Sequence, residues 1–130
     1  LSRLQIAHML DSVILSCVEL LNDKICFRTR LLDMMKSHLS DNLTLREFAE
    51  MLSMSQSTLQ RKTNREFGCG VSELYRQLKL NQACSLLLSS DLKISEIAEI
   101  VGFNDPAHFS RFFKHKMKKS PLKYKEKYLL

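Results

Sequence analysis

The chain has 130 residues, an apolar content of 45% and a formal net charge of +6, which suits one compact domain or two very small ones. With only three Gly and two Pro, and no run of residues alternating with period two, an all-helical (all-α) fold is expected. No stretch reaches the roughly 18 unbroken apolar residues of a membrane span, and the pattern of a signal peptide is missing. We therefore expect a cytoplasmic protein without a membrane partner. Since its first residue is Leu1, we expect a fragment of a longer or processed chain.

The first 24 residues contain a short apolar stripe with helical spacing. Its members recur at three or four residues for about two heptads, which is too short to establish a coiled coil: Ala7, Leu10, Ile14, Cys17 and Leu21. Two interpretations stay open. Either the helix packs on its own domain, or it is the remnant of an upstream regulatory or dimerisation domain, in which case the chain would self-associate through residues 4–21.

A second apolar stripe predicts the first core helix, which should end near Leu39. Its members recur at positions that share one helical face: Phe27, Leu31, Met34 and Met35. We place the start of the first folded subdomain at residue 25, just before this stripe.

The region after residue 44 contains an internal repeat. Leu45–Met54 reads LREFAEMLSM, and Ile94–Phe103 follows 49 residues later and reads ISEIAEIVGF. Past this segment the spacing becomes 50, and the matched pairs are Leu59 with Phe109, Arg61 with Arg111, Val71 with Pro121 and Leu74 with Tyr124. Two copies are too few for a solenoid, which needs at least three stacked units. We therefore expect two small tri-helical subdomains.

Each copy has the pattern of a helix-turn-helix. Its first helix buries residues at i, i+3, i+4 and i+7, and the small Ala49 and Ala98 on the buried face allow a second helix to cross closely. A turn follows four residues later, where Gly102 adopts positive φ without steric cost. Ser53, its counterpart in the first copy, fits this turn less well.

Capping residues mark the helix starts in both copies. Thr44 and Glu47 form a T-x-x-E capping box before the first copy, whereas Lys93 stands in the equivalent place of the second copy. The second helices open at Ser55 and at Asn104 or Asp105, the latter followed by Pro106, a residue favoured in a first helical turn.

The basic residues concentrate in the repeat region. Residues 1–44 hold five Lys or Arg and five Asp or Glu, so all six net positive charges lie in residues 45–130. Arg111, Lys114 and Lys118 recur on one face of the second copy's second helix, as Arg61 and Arg65 do in the first copy. Cations along second helices are what docking into a phosphate-walled groove requires.

Other chemistry finds little support. The cysteines lack C-x-x-C and zinc-finger spacing, and we interpret them as reduced thiols on helix faces: Cys17, Cys26, Cys69 and Cys84. Gly68-Cys69-Gly70 lacks the preceding strand of a nucleotide loop and has Glu73 where the third Gly is needed. Neither a carboxylate pair nor a nucleophile with its base can be assembled, so we expect no enzymatic activity, no metal and no cofactor.

The segment Ile94 to Tyr124, ISEIAEIVGFNDPAHFSRFFKHKMKKSPLKY, resembles the signature of AraC/XylS-type bacterial transcription regulators: I-x-x-I-A, then G-F, then F-S-x-x-F-K, then S/T-P-x-x-Y. The resemblance covers about residues 27–128 and implies two helix-turn-helix subdomains joined by a linker helix. We divide the chain into an N-terminal helix (1–24), a first subdomain (25–70), a linker helix (71–89) and a second subdomain (90–130). Lys118-Lys119 replaces the family's usual Gly, and Lys79 stands where Arg is common.

The two recognition helices supply the candidates for DNA contact, and six of them match the family's base-contacting positions: Gln60, Arg61, Pro106, Ala107, His108 and Arg111. Candidates for base contacts are Gln56, Ser57, Gln60, Arg61 and Asn64 on the first recognition helix, and Pro106, Ala107, His108 and Arg111 on the second. Candidates for phosphate contacts are Lys62, Arg65, Lys114, Lys118 and Lys119.

We expect sequence-specific binding of double-stranded DNA by a nucleoid-associated transcription regulator, with RNA polymerase as a further candidate partner. The alternative is a basic interaction module that dimerises and binds an acidic protein. Non-specific RNA binding ranks third, because the aromatics and GXXG loop of RNA modules are absent.

Overall fold

A computed structural model describes residues 2–128, which form seven α-helices and contain no strand. The helices are α1 (Arg3–Ser37), α2 (Leu45–Met51), α3 (Gln56–Phe67), α4 (Val71–Ser89), α5 (Ile94–Ile100), α6 (Pro106–Met117) and α7 (Pro121–Tyr128). The all-α expectation is confirmed. The chain divides into two compact units, Leu1–Met34 and Met35–Leu130.

Helix α1 is 35 residues long, and every residue from 2 to 26 is exposed. Two helices were expected from the sequence here, whereas the structure has one helix without a break at residue 24. Of the stripe that predicted a core helix, Phe27, Leu31 and Met35 are buried and Met34 is half-buried. The helix ends at Ser37, two residues before the predicted end.

Averaged over 18 residues, α1 has a mean hydropathy of 1.5, so length and composition alone would allow it to cross a membrane. The sequence-based expectation of no membrane partner considered only unbroken apolar runs, and α1 meets this second criterion of mean hydropathy. Seven polar residues of α1 share one face, because they recur at three or four residues: His8, Asp11, Ser12, Ser16, Glu19, Asn22 and Asp23. Three cations, Arg3, Lys24 and Arg28, lie on the other side of the helix. Apart from these cations, the pattern is typical of a helix that packs an apolar face against another helix.

The second unit contains the two copies of the repeat. In the first copy α2 packs on α3 and α3 on α4; in the second α5 packs on α6 and α6 on α7. The small residues at the predicted crossings, Ala49 and Ala98, are 2% and 0% exposed. The aromatic core of the second copy includes Phe109 and Phe113, both fully buried, and Tyr124, whose ring centroid lies 5.4 Å from that of Phe113.

Backbone conformation repeats as faithfully as the sequence. Ser53 and Gly102 end the first helices at φ 55° and 87°, and Gly68 and Lys118 end the second helices at φ 74° and 65°. A residue with a Cβ pays a steric cost in this left-handed region. Ser53 and Lys118 therefore adopt the turn that the repeat requires although glycine fits it better.

The predicted caps are present. Thr44 Oγ1 accepts a hydrogen bond from Glu47 N, and the Glu47 carboxylate accepts one from Thr44 N. Of the two candidates for the cap of α6, the structure selects Asp105, whose Oδ1 accepts from Ala107 N at 3.0 Å. Lys93 makes no side-chain cap, as the missing capping box predicted.

Helix α4 belongs to both copies. Its first turns bury Val71, Leu74 and Tyr75, and Phe48 of α2 packs edge-on against Tyr75 with 5.0 Å between ring centroids. Its later turns supply residues to the core of the second copy: Leu80, Ala83 and Leu87. The linker helix predicted from the sequence is thus one rigid element shared by two subdomains.

We predict that Ala98→Leu will lower the free energy of unfolding by about 1–3 kcal/mol, because three added carbon atoms overpack a fully buried crossing. Ala107→Leu, the same substitution at an exposed position, should change it by less than about 0.5 kcal/mol. Denaturant unfolding of both variants measures the difference, and equal stabilities would contradict the crossing.

Candidate nucleic-acid interface

Helices α3 and α6 each carry a buried side and an exposed side. Leu59 and Thr63 anchor α3, and Phe109 and Phe113 anchor α6 at positions 50 residues later; all four are fully buried. On the opposite side, exposed residues recur at i, i+4 and i+7, which places them on one face. We name these residues the outer stripes: Ser57, Arg61 and Asn64 on α3, and Ala107, Arg111 and Lys114 on α6.

The two outer stripes match residue for residue at a spacing of 50. Arg61 and Arg111 hold the central position of each stripe. Among residues 2–128, neither guanidinium forms an ion pair or a hydrogen bond with a protein group. Both are therefore available to a ligand outside the chain, and a guanidinium is suited to planar acceptors such as a guanine edge or a phosphate.

Gln60, one of the base contacts that the resemblance implied, has a hydrogen bond inside the protein. Its Oε1 accepts a hydrogen bond from Val71 N at 2.9 Å. The N-cap of α4 is Gly70, which has no side chain to satisfy the first amides of the helix. Gln60 Oε1 supplies the missing acceptor, and contact of this side chain with a base stays a prediction from the resemblance.

The other predicted base contacts are distributed unequally. Gln56 and Pro106 open their helices at equivalent ends and are exposed beside the outer stripes. Asn64 lies on its stripe, where its Nδ2 also donates to Gln60 O at 2.9 Å. His108 is turned to one side, and its ring packs edge-on against Phe103 at 5.2 Å between centroids. The stripe residues are thus the candidates that the structure brings together.

The predicted phosphate contacts fall into two groups. On α3, Lys62 is half-buried, and exposed Arg65 approaches Glu66 at 3.7 Å. At the end of α6 lies a groove with a volume of about 800 Å³, which we name the lysine groove. It is lined by Lys114, Lys118 and Lys119. The remaining residues of this groove are Ser120, Lys123, Glu126 and Lys127.

Positive charge in the lysine groove is crowded. The side chains of Lys119 and Lys127 share a hydrogen bond, which lowers the pKa of Lys119 and raises the pKa of Lys127; the charge of Lys127 lowers the pKa of Lys119 further. Both ammonium groups also approach the Tyr128 ring: the Lys119 ammonium lies 6.0 Å from the ring centroid and the Lys127 ammonium lies 5.2 Å from it. Two adjacent cations favour a bound anion, since an anion relieves their mutual repulsion. Lys123 and Lys127 were not among the predicted contacts, although the excess of lysine in the tail was the signal that could have identified them.

Lys116, by contrast, has an internal role. Its Nζ lies 3.2 Å from the Glu73 carboxylate, which ties α6 to the first turn of α4. The hydrogen bond and charge of Lys116 lower the pKa of Glu73. Because both side chains are more than a third exposed, solvent screening keeps this pair weak.

Two helix-turn-helix units with exposed, unpaired arginines at matching positions define a DNA-binding protein. The family model described as a helix-turn-helix domain matches residues 48–127. The chain belongs to this family, in its AraC/XylS-type branch of transcription regulators.

Similar proteins and structures support the assignment. The chain is 34% identical over 90 residues to the HTH-type transcriptional regulator GlxA of Rhizobium meliloti, covering 69% of this chain and 28% of that protein. The C-terminal domain of AraT, a response regulator from Geobacillus stearothermophilus, has 34% identity and a TM-score of 0.74, with 80% of this chain and 87% of that chain covered. The AdpA DNA-binding domain, solved in complex with a target DNA, has the same fold at 24% identity and a TM-score of 0.71, covering 77% and 90%. The chain spans less than a third of the length of GlxA.

We predict that Gln60→Ala will lower the free energy of unfolding by about 0.5–1.5 kcal/mol, because one hydrogen bond at the start of α4 is lost. The preferred bases in the DNA should stay the same. Gln56→Ala, which removes an exposed amide one turn earlier, serves as the matched control for stability. Unfolding curves and a selected-site profile test both statements. If the Gln60 variant alone lost its preference at one base pair, Gln60 would contact that base.

Proposed function

We propose that the chain reads an asymmetric DNA site with both recognition helices, α3 and α6, each lying in the major groove. The observation that carries this proposal is the pair of outer stripes, which occupy matching positions on helices whose opposite sides are fully buried. Recognition helices of helix-turn-helix proteins lie in successive major-groove segments about 34 Å apart when they share one face of the duplex. Two stripes on one chain therefore suit two adjacent turns of DNA.

The stripes support different reading chemistry. Arg61 and Arg111 would each contact a guanine, whose O6 and N7 accept a bidentate guanidinium. Ser57 and Asn64 add hydrogen-bonding groups on α3, whereas Ala107 offers only a methyl group, which suits the methyl of thymine. The second half of the site is thus expected to depend on Arg111 and on DNA shape.

Phosphate contacts would hold the protein in register. Lys62 and Arg65 on α3 and the lysine groove at the end of α6 are the cations nearest the two stripes along their own helices. Such contacts add affinity that is independent of sequence and falls with salt. We assign Lys123 and Lys127 to the same role as Lys114, Lys118 and Lys119, because they line the same groove.

On this proposal the chain acts by contact and without chemistry, as part of a regulator of transcription. Its DNA-binding surface must then lie in the compartment that holds the chromosome, which in a bacterium is the cytoplasm. Contact with RNA polymerase stays a prediction from the family resemblance.

A second proposal concerns α1, which we infer to be a self-association helix. Its apolar face is exposed over more than four turns and includes Ile6, Leu10, Val13 and Leu20. Helices that lie on membrane surfaces carry Lys and Arg on the polar face. In the exposed part of α1 the charged members of the polar face are Asp11, Glu19 and Asp23, and the two cations, Arg3 and Lys24, lie on the other side. The acidic face favours a second copy of the chain over an anionic lipid surface.

The DNA proposal predicts that Arg61 and Arg111 report on different base pairs. Arg61→Ala and Arg111→Ala should each lose about 1–3 kcal/mol of discrimination at one position of the site. Lys119→Ala should weaken all sequences alike and reduce the slope of log K against log salt by about 0.9. The measurement is a site selected from random DNA by the wild type, then profiled with each variant at several salt concentrations.

A scrambled duplex of equal length is the control for that experiment. Equal affinity of the wild type for the selected and the scrambled duplex would favour a polyanion surface over a reader. If both arginine variants relaxed the same base pair, only one helix would be reading DNA.

The self-association proposal predicts a dimer that depends on exposed apolar residues. Leu10→Asn with Val13→Asn should weaken dimerisation by at least about 100-fold, since burial of one such side chain contributes about 1.5–3 kcal/mol. Ser12→Asn with Ser16→Asn changes the polar face of the same helix and should leave the dimer intact. Sedimentation equilibrium decides, and a wild type that stays monomeric at high concentration would end this proposal.

A further inference from the structure

Three segments of the second unit meet at one asparagine. Asn42 lies in the loop before α2, and its Nδ2 donates to Gly102 O, in the turn of the second copy, at 2.7 Å. Its Oδ1 accepts a hydrogen bond from Lys79 Nζ, in the middle of α4. We name Asn42, Lys79 and Gly102 the joint. It connects the loop between α1 and α2, in the first subdomain, directly to the turn after α5, in the second subdomain.

The backbone at the joint is shaped for this contact. Asn42 itself has a positive φ of 53°. A Cβ on Gly102 would lie 2.8 Å from Asn42 Oδ1, 2.8 Å from Lys79 Nζ and 2.9 Å from Leu39 O. The equivalent turn of the first copy holds Ser53 at φ 55° with an exposed side chain. The turn conformation therefore tolerates a side chain, and it is the close approach of the joint that requires glycine at position 102.

Lys79 is held on several sides. It is 5% exposed, and its ammonium lies 4.5 Å from the centroid of the Tyr75 ring. The Tyr75 hydroxyl donates to His38 O and accepts from Leu43 N, so the ring is held by the same loop between α1 and α2. Within residues 2–128 no carboxylate lies within 4.0 Å of the Lys79 ammonium. Burial lowers the pKa of Lys79, and the negative charge of the more distant Asp41 opposes this effect in part.

A buried cation without a carboxylate in direct contact is a poor source of stability, because its desolvation is only partly compensated. Its hydrogen bond to Asn42 is directional, however, and it orients the Asn42 amide, which donates to Gly102 in the second subdomain. Rotation of one subdomain against the other about α4 would break the bond from Asn42 to Gly102. The geometry therefore resists a change in the relative orientation of the two recognition helices.

We propose that the joint fixes the separation and angle of α3 and α6, and so selects the spacing between the two halves of the DNA site. Asn42 and Lys79 are positioning residues on this proposal, which rests on the proposed function in DNA reading. Adding or removing one base pair moves a half-site by about 3.4 Å and turns it by roughly 35°. A fixed pair of readers can engage both halves at only one spacing, because the two binding energies add only when the geometry allows both contacts.

The test uses duplexes that carry the selected site with its native spacing, with one base pair removed, or with one added between the positions read by Arg61 and Arg111. The wild type should lose at least about tenfold in affinity at either altered spacing. Asn42→Ala and Lys79→Met should reduce this discrimination to less than about threefold, chiefly through weaker binding at the native spacing. Lys79→Arg should retain it, because a guanidinium can also donate to Asn42 Oδ1.

Thr63→Ala controls for loss of stability. Thr63 is fully buried and its hydroxyl donates to Leu59 O at 2.7 Å, inside one subdomain and away from the joint. It should lower the melting temperature and leave the spacing preference unchanged. Melting curves on all variants confirm that each is folded at the temperature of the binding measurement.

Three results would overturn the proposal. The joint variants could lose affinity equally at every spacing, which would make the joint a matter of stability alone. The wild type could bind the selected site without a spacing preference, or the variants could keep the full preference. If the wild type fails to distinguish the selected from the scrambled duplex, the proposed function itself fails, and the two failures are thereby distinguished.

Discussion

Burial of one helix by two separate cores is the constraint on which the second unit depends. Helix α4 presents Val71, Leu74 and Tyr75 to the first copy and Leu80, Ala83 and Leu87 to the second. A helix is stiff along its axis because every backbone hydrogen bond is local, so the two cores are held on a common rod. The recognition helices inherit their positions from these cores, since Leu59 and Phe109 are fully buried.

The two copies share a backbone and differ in chemistry. The turns, the caps of the second helices and the buried anchors recur at spacings of 49 and 50 residues. They recur even where Ser53 and Lys118 adopt a left-handed conformation that is sterically unfavourable for a residue with a Cβ. The outer stripes keep arginine at the centre and change the residues around it. Duplication with this kind of divergence gives one chain two unlike reading surfaces, which suits an asymmetric site better than a palindrome.

Some lysines contact other groups of the protein and others face outward. Only the three-dimensional structure distinguishes the two groups, because the distinction depends on which residues lie nearby. Lys116 is paired to Glu73 and Lys79 is buried at the joint, whereas Lys114, Lys118 and Lys119 line the lysine groove. All five are lysines of the same charge on helices or their ends. Their tasks differ because Lys116 and Lys79 contact other elements of the protein, whereas the lysines of the groove face outward, where we propose that they contact phosphate.

The sequence by itself determined the helical class, the repeat, the Thr44 capping box and the two arginines of the outer stripes, because each of these is a local pattern with a helical period. Only the tertiary structure decided that Gln60 serves α4, that α1 is one unbroken helix, and that Asn42, Lys79 and Gly102 meet. Periodicity reports which face of its own helix a residue occupies. It carries no information on which distant segment approaches that face, so only the packed fold could bring together Asn42 and Gly102, which are separated by 60 positions in the sequence.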